Sequence, residues 1–105
     1  MQNKPAKFQV LSKLGKLIRI TEAHWERITT VKHPIVKNRE NEVIETLSKP
    51  DEIRQSKTDT HVYLYYKKFD ENFMAVVCKH LNGEGFIVTT YITDSIKEGN
   101  LIWKK

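Results

Sequence analysis

The chain has 105 residues, with 18 Lys and Arg against 13 Asp and Glu, a net charge of +5. That length is one domain's worth, read as residues 1–105, and a single cysteine excludes an internal disulfide and a cysteine zinc cluster. No apolar run reaches the ~20 residues of a membrane helix and the first ten residues lack a signal-peptide core, so the expectation is a soluble cytoplasmic domain with no membrane partner, whose basic excess favours polyanions.

In chain order, FQVL (8–11) and KLIRI (16–20) flank a Gly-bearing SKLGK and predict a β-hairpin. Thr21 can cap a helix over 22–32, with Glu22 in its first turn. Trp25, Ile28 and the overlapping set His24, Ile28, Val31 recur at helical spacing, and His33-Pro34 ends the run. A second helix is expected over about 35–48, with Val36, Val43, Ile44 and Leu47 on one face and Pro50 as its stop. The period then changes to two. Strands are predicted at 52–56, 61–69, 73–81 and 86–94, with NGEG as a hairpin loop and 95–103 as a turn with a short terminal segment. The expected fold is α+β: an N-terminal β-hairpin and two helices packed on one face of an antiparallel sheet of about four strands, the other face partly open.

Alternation sorts the strand residues onto the two faces. In GFIVTTYITD, it sends Phe86, Val88 and Ile92 to the helices and Ile87, Thr89, Tyr91 and Thr93 outward. Taking the more polar set of each strand adds Arg54, Ser56, His61, Tyr63, Tyr65, Lys67 and Lys79 to the outward face. A surface of cations, phenols and hydroxyls suits phosphates and unpaired bases. The alternative is a plain solvated face, since Tyr and Thr are good strand formers.

Three ordered runs, HWERI…HP, ETLSKPDEIRQSKTDTHVYLYYK and VVCKHLNGEGFIVTTYITDSIKEGNLIW, resemble the phage-type nuclease-like domains of the barnase, EndoU, colicin and RelE grouping. The resemblance covers most of residues 17–103. It implies two helices followed by an antiparallel sheet whose open face binds RNA, metal-independent ribonuclease activity, and in many members a toxin role with an antitoxin protein as partner. By position it points to His33, Arg54, Tyr63 or Tyr65, Lys79, Thr90 and Thr93. Arg27 stands where the grouping carries a histidine after the tryptophan, and KHPI stands where it carries RHPE. Thr90 is a point of conflict, because alternation places it on the core side.

Metal-free RNA cleavage needs a base for the 2′-hydroxyl, an acid for the leaving 5′-oxygen and a cation beside the phosphate. The candidate catalytic set is His33, Arg54, Tyr65, Lys79 and Thr93. The candidate RNA contacts are Ser56, Tyr63, Lys67, Thr89, Thr90 and Tyr91. Each has a structural alternative: a helix-capping role for His33, an ion pair with Glu52 or Asp51 for Arg54, an edge charge at Lys79, and cross-strand packing for Tyr65 and Tyr91. Cys78 is expected in the core, His80 on the core side or at a strand end, and His61 at the surface beside Asp59. The four histidines have no metal-ligand spacing, so no metal and no cofactor is expected. The function expected is a metal-independent endoribonuclease, toxin-like or phage-derived; the alternative is a catalytically inactive module that binds RNA or a protein.

Overall fold

A computed structural model describes residues 6–105. Strands β1 (Ala6–Leu11) and β2 (Leu17–Thr21) form the expected hairpin. Ser12 closes its turn: the Ser12 amide donates to the Lys16 carbonyl and the Lys16 amide to Ser12 Oγ, while Gly15 takes the left-handed conformation at φ +82°. Thr21 then caps helix α1 (Glu22–Arg27), its hydroxyl accepting the His24 amide at 3.1 Å. The helix continues as a π-helical turn, Ile28–Lys32, and stops at His33 before a 3₁₀ turn, Pro34–Val36.

The second helix is shorter than expected. Helix α2 spans Glu40–Ser48, because the 3₁₀ turn and a left-handed Asn38 (φ 66°) break the helical path first. Arg39 clamps its first turn through Nε to Glu42 Oε1 at 2.8 Å. Five strands follow: β3 (Glu52–Gln55), β4 (Val62–Phe69), β5 (Asn72–His80), β6 (Glu84–Thr93) and β7 (Asn100–Lys104).

The strands form one seven-stranded mixed sheet in the order β1-β2-β6-β5-β4-β3-β7, antiparallel except where β2 runs parallel to β6. This overturns the expectation of a four-stranded antiparallel sheet with two helices on one face. The central meander exists, but both of its edges are extended. Leu17–Arg19 pair with Glu84–Phe86, and the terminal segment returns onto β3. An edge strand's free N–H and C=O groups recruit a partner regardless of its distance along the chain, and no local pattern announces which segment it will be. The helical part is two short helices. None is long and apolar enough, among the described residues, to cross a membrane.

The main core joins Ile18, Ile20, Trp25, Ile28, Val36, Val43 and Leu47 to Ile53, Tyr65, Met74, Val76, Cys78 and Ile87. A smaller cluster of Leu64, Tyr66 and Ala75, flanked by Phe73, Val77, Tyr91 and Ile96, occupies the other face. Two face assignments are corrected. In β4 it is Tyr63, Tyr65 and Lys67 that point to the helix side, and Val62, Leu64 and Tyr66 that point away. Tyr65 is fully buried, because its one hydroxyl finds internal partners. In β6 a bulge at Val88 separates the Val77–Thr89 pair from the Cys78–Ile87 pair. One extra residue inverts the alternation before it, so Ile87 enters the core while Phe86 and Val88 are exposed. After the bulge the expected pattern holds: Thr90 and Ile92 face inward, Thr89 and Tyr91 outward.

Candidate functional site

Three chain segments meet over the outward face of β4, β5 and β6. The first is the end of the π-helical turn. Beyond Phe86, β2 no longer pairs with β6, and α1 takes its place: His24 Nε2 lies 2.9 Å from the Val88 carbonyl oxygen, a contact only an N–H can make. The π turn closes with the His33 amide on the Ile28 carbonyl at 2.6 Å. His33 is thereby carried to Tyr91, the two ring centroids 5.8 Å apart and tilted by 39°.

The second segment is the β3–β4 loop, which is held by its own hydrogen bonds. Ser56 Oγ accepts the amides of Thr58 (3.2 Å) and Asp59 (3.3 Å), Asp59 Oδ1 accepts the His61 amide (2.9 Å), and Gln55 Nε2 donates to the Thr60 carbonyl (2.8 Å). The third is the β6–β7 connection with Lys97, Glu98 and Gly99. Arg54 fixes it from behind: one terminal guanidinium nitrogen donates to the Gly99 carbonyl at 3.2 Å while Nε pairs with Glu52 at 2.5 Å. Gly99 sits at φ +85°, and a Cβ there would lie 2.7 Å from the Gln55 carbonyl oxygen, so the close approach requires glycine.

Between these walls lies a cleft of about 630 Å³, lined by His33, Ser56, Lys57, Thr58, Lys97, Glu98 and Gly99 over a floor of Val62, Leu64, Val77, Thr89 and Tyr91. That is a volume typical of ligand sites. Thr89 Oγ1 is buried and has no hydrogen-bond partner among the described residues, an exception to the near-universal pairing of buried polar atoms. Burial raises the Tyr91 phenol above its ordinary value, and the nearby Glu98 carboxylate adds to the shift. Tyr91 is therefore a neutral hydroxyl throughout the physiological range. The cleft thus offers one imidazole, one carboxylate, two ammonium groups and a phenol.

Of the residues expected to form a site, His33, Ser56, Thr89 and Tyr91 come together here. Arg54 stands behind the wall with its guanidinium engaged. Lys79, paired across strands with Val62, lies 3.5 Å from Asp59; the Asp59 carboxyl is held below its usual range first by the His61 amide and then by that ammonium. Thr93 serves the turn after β6, donating to the Ser95 carbonyl at 3.0 Å. The remainder are on the helix side. Thr90 is fully buried and donates to the Ala75 carbonyl at 2.8 Å. Lys67 lies 3.7 Å from Asp51 and 3.9 Å from Glu45 of α2. Tyr63 stacks on His80 with centroids 4.0 Å apart, and the Tyr65 hydroxyl bridges Ser12 Oγ (2.9 Å) and His80 Nε2 (3.1 Å). Burial, with a contribution from Lys16, depresses the His80 imidazole from 6.5 to about 4.

Lys57, Lys97 and Glu98 escaped the sequence reading, which weighed strand positions. The available signal was their setting: charged side chains among Ser, Thr and Gly in SKTDT and SIKEGN, the loops at either side of a strand pair. Among the described residues no group of three His, Cys, Asp or Glu side chains is arranged to hold a metal ion. Comparisons with protein-family models, curated proteins and solved structures return no match to this chain.

Proposed function

We propose that the cleft binds single-stranded RNA and cleaves it by attack of a 2′-hydroxyl on the adjacent phosphate. The observation that carries this is that His33 and Glu98, 65 positions apart in the chain, line one cleft whose floor includes the Tyr91 phenol. A carboxylate and an imidazole are the pair of groups that acid–base cleavage near neutral pH requires. Glu98 takes the proton of the attacking 2′-hydroxyl. The new P–O2′ bond forms as the P–O5′ bond breaks, and protonated His33 gives its proton to the departing 5′-oxygen. The products are a 2′,3′-cyclic phosphate and a free 5′-hydroxyl. Lys57 and Lys97 offset the charge that builds on the phosphorane, and Tyr91 offers a ring for a base.

The test is cleavage of a labelled single-stranded RNA by the purified protein in EDTA. His33→Ala and Glu98→Gln should each reduce the rate by roughly 10²–10⁴-fold. Intact RNA in the presence of folded wild-type protein overturns cleavage. One observation favours a second reading, a module that binds RNA without cutting it: Arg54, the cation best suited to a phosphate, is already held by Glu52 and Gly99. A salt-dependent gel shift with no product selects that reading.

A further inference from the structure

A second cleft of about 660 Å³ lies on the other side of the Ser56–His61 loop, bordered by Lys16, His61, Tyr63, His80, Asn82 and Glu84. The two clefts share this loop as a ridge. Ser56, Lys57 and Thr58 line the first, while Thr60 and His61 line the second. The ridge is fixed by the loop's own hydrogen bonds, from the Thr58 and Asp59 amides to Ser56 Oγ and from the His61 amide to Asp59 Oδ1. The spacing of the clefts is therefore part of the fold.

The chemistry of the second cleft matches that of the first. It has an ammonium at Lys16, whose Nζ rests on the Leu81 carbonyl at 3.1 Å. It has an imidazole at His61, whose side chain is 70% exposed, and an aromatic wall where Tyr63 stacks on His80. Its one carboxylate, Glu84, lies 3.5 Å from Arg19. Asp59 on the ridge is likewise answered by Lys79 at 3.5 Å, which leaves Lys57, Lys97 and Lys16 without a carboxylate among their close ion pairs in the described residues. Unpaired cations beside aromatic rings in both clefts, with Glu98 kept for the proton transfer in the first, suit a flexible polyanion with planar bases.

We propose that one single strand of RNA runs from the first cleft over the ridge and into the second, so that the protein recognises an oligonucleotide track rather than an isolated phosphodiester. This rests on the RNA reading of the first cleft. It assigns the second cleft as a binding subsite with no part in bond breaking: Lys16 contacts a phosphate and the Tyr63–His80 wall receives a base.

The experiment measures binding by fluorescence anisotropy of 2′-O-methyl RNA, which lacks the attacking hydroxyl, in a ladder from a dinucleotide to about twelve nucleotides. Wild-type affinity should rise with length past what the first cleft holds. Lys16→Gln with His61→Ala should lower the affinity for the longest oligonucleotide by roughly tenfold and leave the dinucleotide unchanged. The same change should reduce the salt slope by about 0.7 for each phosphate that the variant no longer neutralises. Lys37→Gln, at a remote pocket near α1, should leave every length unaffected. His61→Ala alone, at an exposed side chain, carries the test if the double variant melts early. Equal wild-type affinity for short and long strands, or a double variant that binds the long strand as tightly as wild type, overturns the track and leaves the first cleft's reading standing. Failure of the wild type to bind any length overturns both.

Discussion

The hydrogen-bonded triad of Ser12, Tyr65 and His80 gives folding an acid-sensitive component. Tyr65 donates to Ser12 Oγ and accepts from His80 Nε2–H, and the imidazole lies flat on Tyr63 with only 6% of its residue surface exposed. Burial holds the ring neutral down to about pH 4, against 6.5 for the free side chain. As pH falls below 6.5 the unfolded chain takes up a proton that the folded chain refuses until about pH 4. Unfolding is therefore favoured by acid, and stability is undiminished by this group above 6.5. Each unit of separation is worth about 1.4 kcal/mol. The loss should reach about 2 kcal/mol at pH 5 and about 3 kcal/mol at pH 4, levelling off at about 3.5 kcal/mol below it. The perturbation is His80→Gln, which removes the titration and keeps an N–H for Tyr65. The assay is urea denaturation of both proteins at pH 7 and pH 5. The variant starts lower, having lost the ring stack, but its stability should fall about 2 kcal/mol less than that of wild type between the two pH values. Groups that titrate elsewhere cancel in this difference. Equal losses in the two proteins would refute the reasoning.

The adjacent threonines of β6 should separate cleanly. Thr90→Val removes a buried hydrogen bond to Ala75 and should cost about 1 kcal/mol in urea denaturation while leaving RNA binding unchanged. Thr89→Val removes a buried hydroxyl that has no partner among the described residues, so it should stabilise the fold by up to about 1 kcal/mol; a loss as large as that of Thr90→Val would show that the hydroxyl is engaged. Arg54→Ala strands the nearly buried Glu52 and frees the Gly99 carbonyl. It should cost about 2 kcal/mol, of which Glu52→Gln recovers a part; no recovery in the double variant counts against the ion pair. Gly99→Ala combines a left-handed φ of +85° with a Cβ at 2.7 Å from the Gln55 carbonyl oxygen. A loss of about 2 kcal/mol, read as a drop in Tm of roughly 10 °C, is expected, and a drop of a degree or less would show that the loop relaxes freely.

The features legible along the chain are local. Thr21 announces the start of α1 because a hydroxyl before a first-turn carboxylate satisfies the free amides. The Gly-bearing turn announces the first hairpin, and period two announces β4, β5 and β6 to within two residues. Beyond the bulge in β6, Thr89 and Tyr91 are on the face that alternation gives them. Faces failed where both sides of a strand are covered. In β4 the more polar set is the one on the helix side, since Tyr63 and Tyr65 can each satisfy a single hydroxyl there, and polarity then says nothing about direction. The Val88 bulge inverted Phe86 and Ile87 because a single inserted residue costs little locally and changes every side chain before it. The rest depends on contacts between distant segments: β2 and β7 complete a seven-stranded sheet, a π turn brings His33 to Tyr91, and Arg54 anchors the loop that carries Lys97 and Glu98 through the Gly99 carbonyl. These are pairings between segments far apart in the chain. Their free energy comes from edge hydrogen bonds and shared burial that exist only once the segments have met.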